Sequence, residues 1–351
     1  MNAITLCMIV KDEEKNLDLC LHSIAGYVDE IIVVDTGSAD KTREIALRYT
    51  DKVYDYTWIN DFSAARNFSV GKASNELILV LDGDEIVEDI DIDKIKALIA
   101  RNPKGIGRLL CVSEFRRGGN LYRSSDKISR LFSKKYYHYQ GRIHEQIVSR
   151  TKEGEETYNI PLKLRHSGYD GDLLTRRKKT ERNIDLLKKA MEISPDDPYL
   201  MYQLGKSYYM EEDYTNACEL FGQALYFDLD PQLEYVQDMV ESYGYSLINS
   251  EQYEASLQLL NIYDEFGHSA DFIFLIALIL MNNGRFEQAI LEFSKAAAYP
   301  EAKMEGVNGY LSYYNIGVIY ECLGDKKNAS SYYLKCGNYD AARQRLKDIQ
   351  S

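Results

Sequence analysis

The sequence predicts two domains of different class, an α/β domain in the first half and an all-α helical-repeat domain in the second. Three observations carry this. Residues 76–85, ELILVLDGDE, place five apolar residues directly before the acidic turn Asp82-Gly83-Asp84-Glu85; so short and apolar a run is a buried strand rather than a helix. Before it, strand-like and helix-like stretches alternate, the order that builds a mostly parallel sheet. After Pro198, tyrosine, glycine and alanine recur at intervals from the low thirties to about forty residues, the period of stacked helix pairs.

Taken in order, residues 4–10 read as a first buried strand. Residues 13–24 follow as a helix with Leu17, Leu19, Cys20, Leu21 and Ile24 on an apolar face. Residues 28–35 (VDEIIVVD) are a second strand, ending in Asp35. Residues 36–40 turn, and Ser38 or Asp40 is a suitable N-cap for a helix over 41–49. A short strand over 53–57, a loop over 58–62 and a helix over 63–72 return the chain to the strand over 77–81. Asp35 and Asp82 then end strands on one rim of the sheet, where open α/β sheets bind ligands. Asp82 and Asp84, with a glycine between them, can both turn toward one hard cation of the kind that links carboxylates to substrate phosphates. The plainer alternative is an acidic surface turn.

Further on, residues 106–115 and 128–132 read as strands flanking a flexible turn over 116–120. An aromatic segment (136–139) and the block Gly141-Arg142-Ile143-His144-Glu145 follow. A strand over 160–164 leads to His166. Residues 175–193 form a long helix that opens with Arg176, Arg177, Lys178 and Lys179. Ser194-Pro195-Asp196-Asp197-Pro198 stops one helix and starts the next. Four helix pairs are then expected, around Gly205 and Phe221, Gly244 and Leu259, Ala277 and Phe293, and Gly317 and Tyr333, with a capping helix over 340–349. This suits tetratricopeptide-type repeats, which must stack to bury their apolar stripes. Most of the 29 tyrosines would pack between repeats, and the rest would face a concave recognition surface. The domains are placed at 1–172 and 173–351.

Whole-chain chemistry narrows the function. A net charge of −13 argues against nucleic acid or an anionic membrane as the main partner. Six scattered cysteines fit reduced thiols and give no zinc spacing. The longest apolar run, residues 272–281, is half of what a bilayer span needs. With no signal peptide evident, the expectation is a cytoplasmic protein with no membrane span.

Four blocks in order, CMIVKDEE, DEIIVVDTGSADKT, WINDFSAARN and LDGDE, resemble the family 2 glycosyltransferases, specifically the branch fused to tetratricopeptide repeats. Within that branch the chain is similar to the glycocin S-glycosyltransferases, which modify a peptide cysteine. The resemblance implies a GT-A fold, Rossmann-like and single-sheeted. It implies inverting, metal-dependent hexosyl or N-acetylhexosaminyl transfer from a nucleotide sugar, UDP-linked by family habit. Ile9, Lys11, Glu13 and Asp35 would hold the nucleoside, a role for which a carboxylate at Asp35 is chemically apt. Asp12 stands where the family often has asparagine. Asp82 and Gly83 would also contact the donor, and Mn²⁺ or Mg²⁺ would be held by Asp82 and Asp84, with His166 completing the shell. His166 as a cap of the domain junction is the alternative. Arg66 suits a diphosphate oxygen, its alternative being a surface pair with Asp61. Trp58 would stack on a ring or simply pack. Glu145 falls at the catalytic carboxylate and would deprotonate the acceptor, with His144 the competing base. His22, His138 and His268 are expected to be structural.

The acceptor is expected to be a peptide or protein hydroxyl or thiol recruited by the repeats, and the repeats leave room for a homodimer. The alternatives are a carbohydrate or lipid-linked acceptor, and an inactive repeat scaffold.

Overall fold

The apolar runs become the middle of a sheet. The computed structural model of the protein describes residues 3–117, 120–151, 156–166 and 173–350. Among these, the chain divides into two units, Met1–Arg176 and Arg177–Ser351. In the first, β1 (Ile4–Val10), β2 (Glu30–Asp35), β3 (Val53–Asp55) and β4 (Leu77–Val80) pair in parallel in the order β3-β2-β1-β4. Helices α1 (Leu17–Ile24), α2 (Thr42–Ala46) and α3 (Phe62–Lys72) connect them. Alternate residues of β1 enter different cores. Ile4, Leu6, Met8 and Val10 pack with Leu17, Cys20, Leu21 and Ile24 of α1. Cys7 packs with Val70 on α3 and with Ala73 just beyond it. Helices thus cover both faces, so the strands read as unbroken apolar runs.

The sheet is mixed rather than mostly parallel. It continues through β5 (Glu85–Ile90), β6 (Ile106–Arg117), β7 (Asn120–Ser133) and β10 (Thr157–His166) to the order β3-β2-β1-β4-β7-β6-β10-β5. β7 is antiparallel to both β4 and β6, and β5 is antiparallel to β10. β6 and β7 form a long hairpin where shorter strands and a flexible turn were expected. Of that turn, Gly118 and Gly119 lie outside the described residues. Helix α4 (Ile92–Arg101), capped by Asp91, and the small hairpin β8 (Tyr137–Gln140) and β9 (Gln146–Ser149) complete the unit. A mixed sheet with helices on both faces is the GT-A-like arrangement.

The second unit is helical. It runs through α5 (Leu173–Ile193), α6 (Pro198–Met210), α7 (Tyr214–Ala224) and α8 (Glu234–Asn249). Next comes a broken segment, α9 (Tyr253–Ser256), a 3₁₀ stretch (Leu257–Ile262) and α10 (Tyr263–Phe266). The stack closes with α11 (Ala270–Asn282), α12 (Phe286–Ala297), α13 (Tyr310–Cys322), α14 (Lys326–Lys335) and α15 (Asp340–Gln350). Aspartate side chains cap α6, α7 and α14. Paired helices meet at glycine. A Cβ on Gly205 would stand 2.6 Å from the Phe221 ring, and one on Gly317 2.6 Å from the Tyr333 ring. This is tetratricopeptide-type packing. Among the described residues, no helix is long and apolar enough to cross a membrane.

Candidate active site

The rim at the C-terminal ends of β1, β2 and β4 gathers the residues singled out above. One backbone feature shapes the first loop. Asp12 lies in the left-handed region at φ 55°, where aspartate and asparagine are better tolerated than other non-glycine residues, so the Asp-for-Asn departure keeps the same backbone. Its amide donates to Ser38 Oγ at 3.0 Å, and its Oδ1 accepts from Ala39 N at 2.8 Å. The β1 and β2 loops are thereby joined. Lys11 is exposed, while Ile9 and Glu13 are half-buried. Asp35 is 5% exposed, and its Oδ1 accepts from the Gly37 and Ser38 amides at 3.0 and 2.8 Å. Glu13 reaches the acidic turn: a Cβ on Gly83 would stand 3.0 Å from Glu13 Cγ. Glycine at 83 therefore admits the close approach of the two loops.

The acidic turn faces two ways. Asp82 turns toward arginine. Its Oδ1 accepts from Arg66 Nη2 at 2.7 Å, and its Oδ2 accepts from Arg130 Nη2 at 2.8 Å. Burial alone would raise the Asp82 carboxyl pKa, but the two guanidiniums outweigh it and hold it well below the usual carboxylate range. Asp84 turns toward His166, with 3.4 Å between Oδ2 and Nε2. Burial pulls the His166 imidazole down, yet Asp84 prevails and raises it. The structure thus brings Asp84 and His166 together and leaves Asp82 outside that pair. Among the described residues no three acidic, histidine or cysteine side chains converge as a ligand set.

The pair nonetheless suits the group that the resemblance implies. A carboxylate and an imidazole are acceptable donors to Mn²⁺. An ion of this class commonly takes its remaining oxygens from substrate phosphates and water.

Arg66 is the hub. It is 8% exposed and sits on α3, whose first turn Asp61 caps by accepting from Ala64 N at 2.9 Å. Asp61 is thus occupied with the helix end, and Arg66 pairs elsewhere. Besides Asp82, its Nε donates to Glu145 Oε1 at 2.5 Å. Its guanidinium stands 5.6 Å from the Tyr139 ring centroid, and its Nη1 is buried without a hydrogen-bond partner. Glu145 follows a strained turn, with Gly141 at φ 102° and His144 at φ 51°. The turn is tied to the Trp58 loop, since Phe62 N donates to Arg142 O at 2.8 Å. His144 Nε2 is buried and unpartnered. Burial pushes its pKa down against the pull of Glu145. Trp58 packs edge-on against Phe62, with centroids 4.7 Å apart.

Two residues of the cluster escaped the sequence analysis as site residues. Arg130 and Glu85 are linked at 2.7 Å (Nη2 to Oε1), and Glu85 Oε2 accepts from the Asp82 amide at 2.8 Å. The available signals are the place of Glu85 in the acidic turn and the charge of Arg130 in an otherwise strand-like stretch.

Residues 5–160 match the family model described as glycosyl transferase family 2, and residues 270–302 and 310–343 match a tetratricopeptide repeat model. A TPR repeat-containing protein of Synechococcus elongatus is 33% identical over 234 residues, covering 64% of this chain and 57% of that protein. The SPbeta prophage-derived glycosyltransferase SunS of Bacillus subtilis is 28% identical over 243 residues, covering 68% and 57%. An uncharacterized glycosyltransferase of Rickettsia typhi is 26% identical over 157 residues, covering 42% and 53%. The chain spans just over half the length of these relatives.

Proposed function

We propose that this chain, whose residues 5–160 match the glycosyl transferase family 2 model and whose residues 270–302 and 310–343 match a tetratricopeptide repeat model, is an inverting glycosyltransferase that moves a sugar from a nucleotide sugar to a peptide or protein side chain. The observation that carries the reading is the convergence of Arg66 on Asp82 and Glu145, beside the Asp84–His166 pair. A leaving diphosphate needs positive charge close by, and a nucleophile needs a base. This cluster supplies a candidate for each within two ion pairs.

Asp35 and the Glu13 loop would hold the nucleoside at the rim of β1 and β2. Asp84 and His166 would hold the divalent ion, which when bound neutralises charge on the leaving diphosphate. Arg66, with one nitrogen still unpartnered, would meet a diphosphate oxygen. Glu145 would accept the proton of the incoming hydroxyl or thiol. His144 is less suited to that role, because burial disfavours the imidazolium that it would become on taking a proton, and its Nε2 has no partner to orient it. A peptide acceptor is supported by the repeat unit and by the resemblance to enzymes that modify a peptide cysteine. UDP as the nucleotide and Mn²⁺ as the ion follow family habit and belong to the same proposal.

The test is nucleotide release from a panel of nucleotide sugars with Mn²⁺, together with sugar transfer to a cysteine- and serine-containing peptide. Wild type should release nucleotide from at least one donor. Asp84→Asn should abolish that release. Glu145→Gln should still bind the donor but lose transfer. Release by no member of the panel would overturn the proposal, and full transfer by Glu145→Gln would move the base elsewhere.

A further inference from the structure

Glu85 and Arg130 are buried charges for which the mechanism above has no use. Glu85 is 3% exposed, a depth at which a carboxylate needs both a charge partner and hydrogen bonds. It holds Asp82 once directly and once through Arg130. Its Oε2 takes the Asp82 amide hydrogen at 2.8 Å, and its Oε1 takes a hydrogen from Arg130 Nη2 at 2.7 Å. The same nitrogen donates to Asp82 Oδ2 at 2.8 Å. A closed ring results, fixing both the main chain and the side chain of Asp82. Arg130 stands on β7, the strand that pairs with β4 at Leu79 and Leu131, so the ring also ties the acidic turn to the sheet. From Asp82 the chain of ion pairs continues through Arg66 to Glu145.

We infer that Arg130 is a positioning residue: anchored by Glu85, it fixes Asp82 and, through Asp82 and Arg66, the orientation of Glu145. The inference rests on the transferase reading above and deepens it. Arg130 acts without touching the acceptor or the reacting atoms.

The competing view is that Arg130 only neutralises Glu85 so that the domain folds. The double variant Glu85→Gln/Arg130→Met separates the two, because it removes the brace without stranding a buried charge. On the positioning view it keeps a near-native Tm. Its transfer kcat falls about 100-fold, the cost of displacing a reacting group by about 1 Å, while donor affinity changes far less. Amide hydrogen exchange over residues 142–146 becomes faster, the effect passing through Asp82, Arg66 and Glu145. A double variant with wild-type kcat and unchanged exchange over 142–146 would overturn the inference. If wild type transfers no sugar, the transferase reading falls instead, and exchange alone decides whether Arg130 holds the Glu145 turn.

Discussion

Replacing Arg66 with methionine should destabilise the first unit selectively, and the size of the loss can be worked from its contacts. The substitution removes two ion pairs, to Glu145 at 2.5 Å and to Asp82 at 2.7 Å. The Glu145 side chain is 11% exposed and the Asp82 side chain 34%. Asp82 keeps Arg130 and a share of solvent, so its loss is screened. Glu145 is left nearly buried without its charge partner, and breaking a buried pair from one side costs about 3–5 kcal/mol. With a urea dependence of about 2 kcal/mol per M, the unfolding midpoint should fall by about 2 M. The chain supplies its own probe, because Trp58 is its single tryptophan and lies in the first unit. Its fluorescence follows that unit, and tyrosine fluorescence reports mainly the repeats. Adding Glu145→Gln to the variant should recover part of the loss by removing the stranded charge. A loss below about 1 kcal/mol would mean that Arg66 and Glu145 are effectively solvated, and the account of a buried hub would fail.

The Asp84–His166 contact gives a pH signature. His166 is raised above its ordinary value, so its contribution is fully present below the unfolded pKa of about 6.5 and is lost as pH rises through the higher folded value. The metal-free stability of wild type should decline over that window, and His166→Gln should show no such decline; identical profiles would refute the pairing. In the repeats, Gly317→Ala should cost about 1–3 kcal/mol as its new methyl group meets the Tyr333 ring. Thermal unfolding followed by circular dichroism measures it, and an unchanged midpoint would show that α13 and α14 are not in close contact.

How much of this was legible in the sequence depended on range. The Leu77–Leu81 run and the acidic turn after it could be recognised because a buried strand and its following turn are written in adjacent letters. The helix pairs at Gly205 and Phe221 and at Gly317 and Tyr333 were legible for the same reason, each packing within one repeat. The hairpin was underestimated because residues 123–127, RSSDK, look like a loop; their strand geometry comes from pairing across to β6. Strand β5 is half-exposed over EIVEDI and carries little apolar signal. The charge network was hidden by separation. Arg66 and Glu145 lie 79 positions apart, and Arg130 and Glu85 lie 45 apart. No local pattern states that two such charges meet; the one ion pair that the sequence offers Arg66, as the alternative to a diphosphate oxygen, is with nearby Asp61, whose carboxylate instead closes the start of α3.

The broken segment between α8 and α11 has a mechanical consequence. In a solenoid each layer is held mainly by the layers beside it, and here the second helix of the layer that α8 begins is replaced by two four-residue turns and a 3₁₀ stretch with poorer hydrogen-bond geometry than a continuous helix. Under tension or heat the stack has a fault line at residues 253–266, with better-knit halves on either side. A partner that clamps both halves would splint the joint, so grip and rigidity would rise together.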